Sequence, residues 1–172
     1  LFSSAQNLQI LLGVSKNLGL SYVVRLISTT HLFGEKLWGT IYSSPLFQLI
    51  SLIIPLVVVT TLFYLRKKKV VKGLTIITLF SLMVVNGANF PFGPLFTFVF
   101  NKLPILEGFR NPFEKYGLVL TLVYSFIFAI GLTYLTAFLK NRLSTLKAYL
   151  LLFGICIVIL VVYSYPMWTG TV

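Results

Sequence analysis

Two clusters of positive charge divide this chain into segments whose only stable environment is a lipid bilayer. Arg66, Lys67, Lys68, Lys69 and Lys72 form one cluster, and Lys140, Arg142 and Lys147 form the other. Around them lie four apolar stretches, at about 45–65, 71–87, 116–139 and 148–165, free of charge apart from Lys72 at the start of the second. A 21-residue helix over 45–65 rises roughly 30 Å, the thickness of a hydrocarbon core. Charged residues make up 10% of the 172-residue chain, against about 25% in soluble domains. A water-soluble fold would therefore lack polar surface. The expected fold class is an all-α integral membrane protein: about four transmembrane helices, interfacial helices and a Pro-rich outer loop, within a larger helical bundle. Because the chain begins at Leu1 and stops just after an apolar run, it reads as a piece of a longer protein.

The distribution of charge also orients the spans. Eight of the 14 Lys/Arg fall in the two basic gaps, which the positive-inside rule assigns to the cytoplasm. The loop at 86–115 is then extracytoplasmic, in a multi-pass protein of the cytoplasmic (plasma) membrane. All three acidic residues, Glu35, Glu107 and Glu114, fall on that outer side, and Asp is absent. The net charge of +11 does not point to nucleic acid. The aromatic residues are mostly Phe inside apolar runs, without the interleaved basic side chains that stack and neutralise a polynucleotide.

Along the first span, Pro55 is expected to kink the helix or loosen one turn. The second span fades into Asn86-Gly87-Ala88-Asn89. The fourth ends in the aromatic residues Tyr163, Tyr165 and Trp168, as at a membrane interface, with Pro166 helping to stop it. In the third span Gly117, Thr121, Ser125, Ala129, Thr133 and Ala137 form a ladder of small residues at spacing four. Such a ridge favours a close helix–helix contact, and its hydroxyls can bond their own backbone carbonyls. Residues 1–44 form a separate segment, with a broad apolar stripe through Leu8, Leu11, Leu12, Ser15, Leu18 and Tyr22. Lys16 and Arg25 argue against a span there, so helices at the outer interface are expected. His31 has no second ligand nearby in sequence and reads as a loop histidine. Cys156 reads as a small core or lipid-facing residue. No cofactor or metal motif appears.

The outer loop concentrates the remaining chemistry. Pro91, Pro94, Pro104 and Pro112 stiffen it, around a short apolar segment at 95–100 expected to be an interfacial or re-entrant helix. At the entrance to the third span stand Arg110, Asn111, Glu114 and Lys115. Arginine offers a planar fork for phosphate and lysine a point charge. Arg110, Asn111 and Lys115 are therefore candidate ligands for a lipid phosphate, and Glu107 and Glu114 are candidate general bases. The bland alternative is an Arg110–Glu114 ion pair at a helix start.

These motifs resemble a known family. Gly87-Ala-Asn-Phe-Pro-Phe-Gly-Pro, Leu103-Pro and Phe109-Arg-Asn-Pro-Phe-Glu-Lys115 leading into a long span are similar to polytopic bacterial membrane proteins of the GT-C glycosyltransferase type. These include the alpha-(1→3)-arabinofuranosyltransferase-like and YfhO-type proteins. The resemblance covers about 30 residues closely. It implies a multi-pass enzyme that moves a sugar from a polyprenyl-phosphate carrier to an extracytoplasmic glycan or lipid acceptor. The family's catalytic carboxylate lies in an early outer loop that this chain lacks, so the piece would supply scaffold and carrier-binding surface. A transporter segment, or a non-enzymatic scaffold in glycopolymer export, are the readings that compete with it.

Overall fold

The computed structural model describes Gln9, Gly13 and residues 19–27, 44–103 and 112–168, with the side chains of the last stretch described from 115 to 165. Every regular element among the described residues is helical: α1 (Leu20–Val24), α2 (Pro45–Ser51), α3 (Ile53–Tyr64), α4 (Lys69–Asn86), α5 (Gly93–Lys102), α6 (Pro112–Lys140) and α7 (Thr145–Trp168). Four helical stretches, α2 with α3, then α4, α6 and α7, are long and apolar enough to cross a membrane. The expected stripe in residues 8–18, together with His31 and Glu35, lies outside the described residues.

The first span is broken at Leu52, between α2 and α3. Pro55 accounts for the position of the break. It has no N–H to give to the carbonyl of Ser51, four residues back, and its ring crowds that carbonyl. The Leu52 N–H instead donates to Leu49 O at 3.2 Å, a tightened turn, and regular bonding resumes with Leu56 N–H to Leu52 O at 3.1 Å. Ser44 caps the start, its Oγ accepting from the Phe47 N–H at 3.3 Å, with Pro45 at the first helical position. At the far end of α7 the expected stop at Pro166 is two residues early, since the helix runs to Trp168. A proline at that position removes the bond that an N–H would give to Val162 O, and the two residues after it still complete the turn.

Helix α6 is the centre of the bundle and packs against α4, α3 and α7. Its buried face is Leu120, Val123, Tyr124, Ile127 and Gly131. These meet Val58 of α3, Val85 of α4 and Phe96 and Phe100 of α5 in one apolar core. Among the described residues the small-residue ladder does not make the expected contact: Thr121, Ser125, Ala129, Thr133 and Ala137 are all exposed, and a Cβ on Gly117 would meet nothing within 4 Å. Large side chains took the inner face, where they interlock with those of neighbouring helices through many dispersion contacts. The ladder hydroxyls do bond their own helix, Thr121 to Gly117 O, Ser125 to Thr121 O and Thr133 to Ala129 O, each at 2.9 Å. Thr60, Thr61, Thr75, Thr78, Thr136 and Ser164 do the same. Hydroxyls in hydrocarbon have no water to bond, so the i−4 carbonyl serves as their partner.

The outside of the bundle is as apolar as its inside. Leu46, Leu56, Phe63, Ile76, Leu118, Leu122, Phe153 and Leu160 are among many large side chains more than half exposed. Such a belt far exceeds the patches that water-soluble monomers expose. Lipid is its solvent. α3 and α6 run in the same direction and α4 and α7 run back. Both basic clusters therefore share one end, while Asn86, Tyr116 and Tyr163 share the other.

Candidate functional site

At the end opposite the basic clusters, α4 stops in a turn that is built entirely from its own residues. Gly87 has φ 58° and ψ −132°, a conformation open to glycine and strained for any residue with a Cβ. Asn86 is fully buried. Its Nδ2 donates to Asn89 O at 2.9 Å and to Phe90 O at 3.3 Å, while Asn89 Nδ2 donates back to Asn86 O at 3.0 Å. The Phe90–Pro91 peptide is cis. The Gly93 N–H closes the turn on Asn89 O at 2.7 Å, and Gly93 lies so close to the Ala88 backbone that a Cβ would overlap it. Asparagine side chains that bond nearby backbone favour turns over helix.

The turn leads into α5, which is helical where an interfacial or re-entrant helix was expected. Its Phe96 and Phe100 stack at 5.9 Å and point into the core, and Leu95 and Phe98 stay exposed. Tyr116 at the start of α6 meets Phe80 of α4 edge-on, with centroids 5.6 Å apart. The loop end is thus fixed on the bundle at both sides.

Of the residues expected to carry chemistry, Glu107, Arg110 and Asn111 lie outside the described residues. Glu114 belongs to the first turn of α6, with its side chain outside them. Lys115 is exposed one position further along the same turn. Pro112 as the first residue of α6 fits the fixed φ that a helix start accepts.

One residue at this end escaped the sequence reading. Arg25, weighed only as a charge disfavouring a span, is 9% exposed. Its Nε donates to Ser21 O at 2.8 Å, its guanidinium lies 5.3 Å from the Tyr22 ring centre, and its backbone carbonyl accepts from Tyr163 Oη at 2.8 Å. Phe47 backs Tyr163 at 5.3 Å. Val23 and Leu26 on either side pack on the core shared by α4, α5 and α6. A single arginine inside the apolar run Ser21-Tyr-Val-Val-Arg-Leu-Ile27 was the available signal, since buried arginine is rare unless something holds its charge. What the site offers chemically is a guanidinium, whose planar fork of donors suits a phosphate or carboxylate. Among the same residues no cluster of three His, Cys, Asp or Glu could hold a metal ion.

Fold and surface together define an all-helical protein with four helices fit to cross a membrane. No protein-family model, no curated protein and no solved structure matches the chain.

Proposed function

We propose that this chain is part of a multi-pass membrane glycosyltransferase of GT-C type. It would use a polyprenyl-phosphate sugar as donor and an extracytoplasmic glycan or lipid as acceptor. The observation that carries this reading is the pairing, at one end of the bundle, of the locked Asn86–Gly93 turn with the buried guanidinium of Arg25. The turn belongs to the stretch that resembles the family. Arg25, Arg110 and Lys115 supply positive charge for the lipid phosphate, and Glu107 or Glu114 accepts the proton of the acceptor hydroxyl. In the transfer, that hydroxyl oxygen bonds to the sugar's anomeric carbon as the bond from this carbon to phosphate breaks. Polyprenyl phosphate leaves with the electron pair, and the nearby cations stabilise its growing charge.

Full-length protein in liposomes, supplied with labelled polyprenyl-phosphate sugar and acceptor, tests the reading. Transfer is expected in the wild type, with at least a tenfold fall in Arg110→Ala at unchanged helix content. Unaltered transfer in that variant would remove the phosphate role. No transfer by the wild type would favour an export scaffold instead.

A further inference from the structure

At the basic end, α3 and α6 part to leave a groove of about 590 Å³ that opens on the lipid-facing surface. Val57, Thr60, Tyr64 and Leu65 form one wall and Leu135 and Phe138 the other, over a floor where Thr61 meets Gly131. The lining is mostly apolar: the hydroxyls of Thr60 and Thr61 are spent on Leu56 O and Val57 O, and those of Tyr64 and Tyr134 are the other polar groups along it. The groove therefore asks for hydrocarbon. Its size lies in the range of small-molecule sites, about 300–1,000 Å³. Its open end runs through Leu65 directly into Arg66, Lys67 and Lys68, all exposed. Helix α4 starts just beyond, at Lys69, with neither a side-chain cap nor an acidic residue in its first turn. Its first backbone N–H groups are thus open to an anion.

From this continuity of apolar groove and positive rim we infer a binding site for an anionic phospholipid. One acyl chain lies between α3 and α6, and the phosphate meets the Arg66–Lys68 cations and the α4 N-terminus. Basic clusters at the ends of membrane helices attract anionic head groups, and the groove adds a fixed place for the chain. The site is at the opposite end from the Asn86 turn and independent of the glycosyltransferase reading.

Native mass spectrometry of the purified full-length protein, exchanged into mixed micelles with equal phosphatidylglycerol and phosphatidylcholine, provides the test. The wild type is expected to retain phosphatidylglycerol at least tenfold over phosphatidylcholine. Thr60→Trp, which fills the groove from its exposed side, should cut the retained lipid at least fivefold whatever its head group. The triple variant Arg66→Ala/Lys67→Ala/Lys68→Ala should keep a lipid but lose the preference. Leu135→Trp fills the groove from the other helix and replaces Thr60→Trp if that variant loses helix content. Equal retention by wild type and both filled variants would overturn the site, as would no preference for phosphatidylglycerol or the absence of any bound lipid. A tenfold preference for added polyprenyl phosphate over phosphatidylglycerol would overturn the choice of ligand.

Discussion

Three glycine and asparagine positions determine how the helices end and approach, and each makes a separable prediction. A methyl on Gly93 would run into the Ala88 backbone, with Ala88 C at 2.6 Å, and backbone cannot rotate away. A methyl on Gly131 meets the Thr61 hydroxyl and, at 2.9 Å, Val57 Cγ1, both on β-branched side chains that a helix restricts but that can still shift more readily than backbone. Gly93→Ala should therefore cost more than Gly131→Ala, within the usual range of about 1–3 kcal/mol for overpacking. The readout is the order of the two thermal unfolding midpoints in detergent. Equal midpoints would contradict the tight turn. Adding Thr61→Ala should recover part of the loss in Gly131→Ala and none of that in Gly93→Ala. Asn86→Asp keeps the shape of the side chain but turns the donor that serves Asn89 O and Phe90 O into an acceptor. A buried acceptor facing two carbonyls loses both bonds and adds repulsion, so the variant should be less stable than Asn86→Ala, itself down by about 1–3 kcal/mol. The same melts check this, and an aspartate variant at least as stable as the alanine one would show that the turn does not depend on the amide.

Among the elements, the broken first span makes the clearest prediction. If Pro55 causes the break at Leu52, then Pro55→Ala restores an N–H that can donate to Ser51 O. In that variant the backbone amide at position 55 should exchange with deuterium at least tenfold more slowly than an exposed amide, and α2 and α3 should protect as one helix. Exchange at the free rate would place the cause elsewhere. That break was legible in the sequence because a proline names the carbonyl it disables. So were the four spans, since charge-free runs of this length have one stable setting. The packing partner of a ridge was not legible. Spacing four places Thr121 and Ser125 on one face, but nothing in that spacing says whether a neighbour lies there. Leu120, Val123 and Ile127 compete for the same helix, and they lie on the side that is covered, where their size lets them interlock with α3, α4 and α5. Arg25 was legible only as a lone charge in an apolar run. Such a charge predicts exposure, and its burial comes with tertiary placement, Tyr163 of α7 bonding its carbonyl. Of the candidate site, the sequence picked out the proline-stiffened loop, while the hydrogen bonds that make it rigid depend on two asparagines read only as the fading of a span.

For the whole molecule, the strongest physical constraint is that five cations cluster where α3 gives way to α4 and three more where α6 gives way to α7. Moving one Lys or Arg to the centre of a bilayer costs roughly 2.5–3.5 kcal/mol on insertion scales, so each cluster stays on the side where it is made. The first turn is short, from Leu65 to Lys68, and it cannot thread through lipid without carrying its charges along. Both clusters share an end of the bundle, so a single orientation satisfies both, and the loop that follows Asn86 takes the other side. Lys102, exposed at the end of α5, and Lys68, exposed at the start of α4, then report opposite faces. In a Cys156→Ala background, an impermeant maleimide applied to intact cells should label Lys102→Cys at least tenfold more than Lys68→Cys, and permeabilisation should equalise them. Labelling of position 68 in intact cells with protection of 102 would invert the molecule. The Asn86 turn and Arg25 would then face the cytoplasm, where an extracytoplasmic acceptor cannot reach them, whereas the phospholipid groove requires only that the basic end meet an anionic leaflet.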